Sequence, residues 1–125
     1  MSRRMPTALS LGALLLGAAC VQPAYDRVVV YRVAVPDTAV VKTVGLRGQG
    51  NPLSWNSDLP MAPVPDSAGL YEVTVTHHTG SLANEVKFTL NGQFEFEGEA
   101  NRTVRVPPTA VGNDTTRYRA TFNVR

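Results

Sequence analysis

Val86-Lys87-Phe88-Thr89-Leu90-Asn91-Gly92-Gln93-Phe94-Glu95-Phe96-Glu97 reads as two short strands about a two-residue turn. Asn-Gly is the strongest short hairpin signal, because both central positions of such a turn need positive φ. The flanking residues are β-branched or aromatic and alternate with polar ones, the two-residue period of a half-buried strand. The same grammar repeats outward from this hairpin. Val28 to Val35 alternates around Tyr31 and breaks at Pro36-Asp37, and Val40 to Leu46 runs into the glycine-rich stretch Gly45 to Gly50. Tyr71 to His77 sets Tyr71, Val73 and Val75 on one face against Glu72, Thr74 and Thr76 on the other. Val104 to Val106 and Tyr118 to Val124 complete the set. No window sustains the three-to-four spacing of an amphipathic helix, and proline and glycine recur too often for long helices. Seven or so short antiparallel strands at this turn spacing predict an all-β fold, with an immunoglobulin-like β-sandwich as the leading arrangement.

The first residues read as an export signal. Arg3 and Arg4 form a basic start, Leu9 to Leu16 an apolar core, and Gly17-Ala18-Ala19 the small residues a signal peptidase needs. The apolar run is well short of the roughly 20 residues of a spanning helix. Cleavage is expected before Cys20, the only cysteine. A lone cysteine cannot staple its own domain, and a free thiol in an oxidising compartment is a liability. The run Leu14-Leu15-Leu16-Gly17-Ala18-Ala19-Cys20 resembles the bacterial lipobox, which implies a lipidated Cys20. That organisation gives a signal peptide over residues 1–19, a lipidated cysteine and short tether over 20–27, and a single domain over 28–125. The protein is then exported and held through its lipid at the outer membrane, in the periplasm or at the cell surface. Without Arg3 and Arg4 the basic and acidic residues balance at ten each. That balance gives no reason to expect a nucleic-acid partner.

Catalytic machinery is not visible. The sequence has no Gly-x-Ser-x-Gly elbow, phosphate loop or Cys–His pairing, so the expectation is a binding module, not an enzyme, without cofactor or metal. His77 and His78 are adjacent, and neighbouring strand residues point to opposite faces, which argues against a metal pair. Glu95, Glu97 and Glu99 alternate as a solvated acidic edge would.

The residues able to do chemistry of another kind are aromatic and polar. Trp55 lies in the polar loop from Gln49 to Leu59, Lys87 lies on a strand, and Phe94 and Phe96 follow the hairpin turn. A pyranose packs its C–H face on an aromatic ring while its hydroxyls take in-plane donors and acceptors. Tyr31-Arg32-Val33-Ala34-Val35-Pro36, Gly48 and Leu53-Ser54-Trp55 resemble the opening of a starch-binding domain of the family-20 carbohydrate-binding type. Glu85-Val86-Lys87-Phe88 with Glu97 to Thr103 resembles its second half. The segment from Lys87 to Phe94 is also similar to the glycogen-binding family-48 type. The resemblance covers residues 28 to about 106. It implies that Trp55 is one stacking platform, that Lys87 donates to sugar hydroxyls, and that Asn101 orients the ring. The second platform is Phe96 by the starch-binding spacing or Phe94 by the glycogen-binding spacing. The implied partner is an α-glucan polysaccharide, with delivery to a separate secreted hydrolase as one use of such a module. An interaction lipoprotein that keeps the sandwich without the sugar site is the second reading, and it predicts a buried Trp55.

Overall fold

The computed structural model describes residues 23–125. The expected signal peptide, Cys20 and the start of the tether lie outside the described residues. Nine strands and no helix occur among the described residues. They are β1 (Tyr25–Ala34), β2 (Val44–Gly48), β3 (Leu59–Pro60), β4 (Ala62–Pro63), β5 (Leu70–Thr79), β6 (Ala83–Leu90), β7 (Gln93–Phe94), β8 (Arg102–Arg105) and β9 (Thr115–Thr121). One sheet has the order β4-β5-β1-β9, and the other runs β3-β2-β6-β7 with β8 also paired to β6. The architecture is an all-β sandwich of two sheets, dominated by antiparallel pairs. One pairing departs from the antiparallel expectation: β9 lies parallel to β1, with Val28 opposite Thr115 and Ala34 opposite Thr121.

The core follows from the two-residue period. Along β1 the side chains of Val29, Tyr31 and Val33 are fully buried and meet Val75 of β5 within their own sheet. Across the sandwich, Leu46, Val86, Phe88 and Val104 form the facing layer. Phe88 stacks nearly parallel to Tyr118 of β9, ring centroids 6.5 Å apart at 11°. The turn Asn91-Gly92 has φ of 52° and 79°, as its sequence predicts. Asn91 also ties the strand-free segment before β2 to this hairpin. Its Oδ1 accepts from the backbone N–H groups of Lys42 and Thr43, and its Nδ2 donates to the carbonyl of Val40.

Two glycines explain where β2 runs. A methyl group at Gly48 would lie 2.7 Å from the Glu85 carbonyl and 2.9 Å from Leu53 Cδ1, so only glycine lets the loop close onto the strand. Leu53 is buried there and anchors the loop that carries Trp55. At Gly45 a methyl group would meet Asp58 Cγ and Thr89 Oγ1 at 2.6 Å. Asp58 therefore lies directly over the sheet. Of the glycine-rich stretch, Gly45 to Gly48 is strand, and Gln49 and Gly50 begin the loop that follows.

Candidate functional site

On β6 the buried side chains of Val86 and Phe88 point into the core, which turns Lys87 to the outer face. Arg47 of β2 is directly opposite Lys87, and Phe94 of β7 is opposite Thr89. These positions place a guanidinium, an ammonium and an aromatic ring on one outer face. The loop after β2 adds Trp55, whose ring centroid is 6.4 Å from that of Phe94 with the planes inclined at 53°. Trp55 is half-buried and Phe94 is 36% exposed, so the pair forms a tilted, solvent-facing aromatic surface.

Arg47 holds this surface together. Its Nε donates to Asp58 Oδ1 at 2.6 Å, one guanidinium NH2 group donates to the Trp55 carbonyl at 3.3 Å, and the guanidinium carbon lies 4.9 Å from the Phe94 centroid. One side chain thus fixes the loop at two points and covers part of the second ring, a stacking for which a planar guanidinium is suited and an ammonium is not. Neither Arg47 nor Asp58 was among the residues expected from sequence. The available signal was the pair of glycines around Arg47, since glycine inside a strand marks a close approach.

Lys87 is only 7% exposed. Its Nζ donates to the carbonyls of Phe96 at 3.1 Å and Glu99 at 2.8 Å, and lies 5.7 Å from the Phe94 centroid. An ammonium has three donors, so one remains without a protein partner among the described residues. Most of the work of Lys87 is local: it closes the turn in which the Glu99 N–H meets the Phe96 carbonyl at 2.8 Å. Asn101 is half-buried just before β8, and its Nδ2 donates to Glu85 Oε2 at 3.2 Å. It is thereby tied to the neighbouring strand, not to either ring.

Phe94 and Phe96 do not share a face. Phe96 has a φ of 47°, which breaks the alternation, and its ring is 6% exposed. The guanidinium carbons of Arg102 and Arg125 lie 4.7 and 4.0 Å from its centroid. The ring opposite Trp55 is Phe94.

The acidic alternation breaks at the same place. Glu95 is fully buried and pairs with Arg102, whose Nε and one NH2 group donate to its two oxygens at 2.8 Å each. Glu95 also accepts from the N–H groups of Phe88 at 2.8 Å and Asn123 at 3.3 Å. Burial works against the charge of Arg102, but Glu95 and, after it, Tyr118 outweigh burial and hold the guanidinium above its ordinary value. The two histidines separate as adjacent strand residues must. His77 is buried against Tyr31, and His78 is exposed with its Nδ1 2.8 Å from Asp26.

Beside Phe94 lies a depression of about 350 Å³ bordered by Asn91, Gln93, Glu97 and Asn123. Gln93 and Glu97 make no side-chain hydrogen bond to another described residue, which leaves an amide and a carboxylate beside the exposed ring. No protein-family model matches the chain, and no curated protein matches it.

Proposed function

We propose that this chain is a non-catalytic module that binds starch- or glycogen-type α-glucan. It is exported and anchored at a membrane surface through lipid on Cys20. Its sandwich has the immunoglobulin-like arrangement of starch-binding domains. The observation that carries this reading is the tilted pair of Trp55 and Phe94, 6.4 Å apart and open to solvent. The angle of 53° suits the curved face of an α-linked chain, whose successive rings turn relative to one another. Gln93 and Glu97 supply hydroxyl partners in the adjoining depression, and Lys87 has one donor left for the same purpose. Stacking that removes on the order of 100–150 Å² from water contributes only about 3 kcal/mol at ~25 cal/mol per Å². Single-site affinity is therefore weak, on the order of micromolar to millimolar. Repeated sugars along a polymer raise it through avidity.

The test is retention of the full chain on insoluble starch, with Trp55→Ala and Phe94→Ala alongside. Retention by the parent and loss with either folded variant supports the reading. If starch does not retain the parent and soluble maltooligosaccharides leave its tryptophan fluorescence unmoved, the α-glucan reading fails. One observation favours the interaction-lipoprotein reading instead: Lys87 and Asn101, the two polar residues implied by the resemblance, are committed to internal bonds. That reading predicts no glucan binding and capture of a protein through the Phe94 face.

A further inference from the structure

At one end of the sandwich a cavity of about 540 Å³ opens between the sheets, a size typical of small-molecule sites. It shares no lining residue with the Trp55–Phe94 surface. Its rim is exposed at Asn51, Pro52 and Ser81, and its floor is buried at Val29, Tyr31 and Val106. The polarity of the floor has a simple origin in strand parity. The inward rows that carry Val29, Tyr31 and Val33 on β1, Val75 on β5, and Val86 and Phe88 on β6 continue to Arg27, His77 and Asn84 respectively. Arg27 and His77 are cross-strand neighbours. Three core-facing positions at this end are thus polar where the rest of each row is apolar.

Arg27 is 3% exposed, and one NH2 group donates to the carbonyls of Pro107 at 3.3 Å and Ala110 at 3.2 Å. Its Nε has no partner, and no carboxylate pairs with it among the described residues. Asn84 Nδ2 is buried as well, and its side chain lies against the Tyr31 hydroxyl. Tyr31 and His77 satisfy each other through a hydrogen bond of 2.9 Å between hydroxyl and Nε2. Burial pushes the Tyr31 hydroxyl up to about 12 and pulls His77 below its ordinary value, so both are neutral near pH 7. On the rim, His78 is already paired with Asp26. The buried end of the cavity therefore holds one cation without a carboxylate, and a guanidinium Nε without a protein partner, among the described residues. Each is costly to leave so.

We infer that this cavity binds a small organic monocarboxylate, its carboxylate on Arg27 beside Asn84 and its apolar body along Val29, Tyr31 and Val106. A planar guanidinium matches a carboxylate in shape and charge. One buried cation calls for one negative charge, and a dianion would bring a second charge without a partner. The aliphatic walls call for an apolar body in place of a polyol.

The test uses the full chain, isotope-labelled, titrated with phenylacetate and hexanoate as probes while the Arg27 Nε–H and Asn84 side-chain amide resonances are followed. Saturable displacement of both resonances is expected, with the neutral phenylacetamide at least about tenfold weaker than its acid. Arg27→Met abolishes the response. Because the decisive reading is taken on the unsubstituted protein, it stands whether or not that variant folds. Both resonances unmoved by either acid at millimolar concentration, or phenylacetamide bound as well as phenylacetate, would overturn the assignment. Starch-type glucan is expected to leave these resonances unmoved, so the two sites are tested independently.

Discussion

Replacing Glu95 by glutamine keeps the shape of the side chain and removes its charge, and it tests a carboxylate that is, with Arg102, the most connected polar group among the described residues. The carboxylate accepts four hydrogen bonds: from the N–H of Phe88 and Nε of Arg102 on one oxygen, and from an NH2 group of Arg102 and the N–H of Asn123 on the other. Glutamine presents an NH2 group where one of these oxygens stood. In either amide orientation two donors then face a donor. Arg102 keeps the carbonyls of Thr121 and Val124, but its buried charge loses its counter-charge. Breaking a buried pair by neutralising one partner costs ~3–5 kcal/mol, a large share of the ~5–15 kcal/mol that holds a typical domain. With a urea slope of about 1.5 kcal/mol per M, a loss of about 4 kcal/mol lowers the unfolding midpoint by about 2.7 M. Urea titration followed by circular dichroism measures this, and an unchanged slope shows that stability alone has moved. Glu95→Leu with Arg102→Met is expected to recover most of the loss, because an apolar pair of similar volume leaves no buried charge. A Glu95→Gln loss under about 1 kcal/mol would refute the reasoning, since it would mean that water reaches the pair.

Three further outcomes are expected. Gly45→Ala drives a methyl group into Asp58 and Thr89, and overpacking of this kind costs ~1–3 kcal/mol; thermal unfolding reads the loss, and a neutral result would mean that Asp58 does not lie over the strand. Arg47→Ala releases both anchors of the Trp55 loop and is expected to weaken starch retention at least as much as Phe94→Ala, while global stability changes by only ~1–2 kcal/mol. The pH dependence of stability carries the mark of His77: because burial lowers its folded value, the unfolded chain binds more protons just below the ordinary value of 6.5. Stability therefore falls as the solution is acidified from that value toward the folded one, and His77→Gln flattens the slope, which denaturation series between pH 5 and 8 would show.

Strand content was legible because it rests on local chemistry. The Asn91-Gly92 turn and the alternation of Tyr31 with its valines are properties of a few adjacent residues. What was hidden depends on partners distant in the chain. β3 and β4 are two residues each and contain Pro60 and Pro63, which edge positions tolerate and which erase a strand signal. Gly48 reads as a glycine after a strand that ends at Leu46, because nothing local reveals Leu53 lying against it, or Asp58 against Gly45. The choice between Phe94 and Phe96 turns on a single positive φ at Phe96, a backbone reversal that alternation cannot announce. Arg27 escaped for the opposite reason. The parity of Val29, Tyr31 and Val33 already assigned it to the inner face, but an arginine ends an apolar run by composition, and the strand was begun at Val28.

The two inward-facing buried arginines, Arg27 and Arg102, show why that last residue matters. They are 3% and 8% exposed, so the desolvation opposing each charge is of the same kind. Arg102 meets a bidentate carboxylate and two backbone carbonyls and lies near the ring of Phe96. Arg27 meets two carbonyls and, among the described residues, leaves Nε unpaired and has no carboxylate. If Arg27 is kept for binding and not for stability, exchanging it for a shape-matched apolar residue is expected to stabilise the domain, as removal of an uncompensated buried charge does. Arg102→Met alone would do the reverse, because it strands Glu95. Measuring Arg27→Met and Arg102→Met side by side in urea therefore separates the two roles. A midpoint that rises for the first and falls for the second identifies Arg27 as a charge retained at a cost to the fold, which is what an anion site at the mouth of the sandwich requires. A midpoint that falls for both by similar amounts would make Arg27 a structural tie between β1 and the Pro107–Ala110 segment, and would leave the cavity without its reason for a charge.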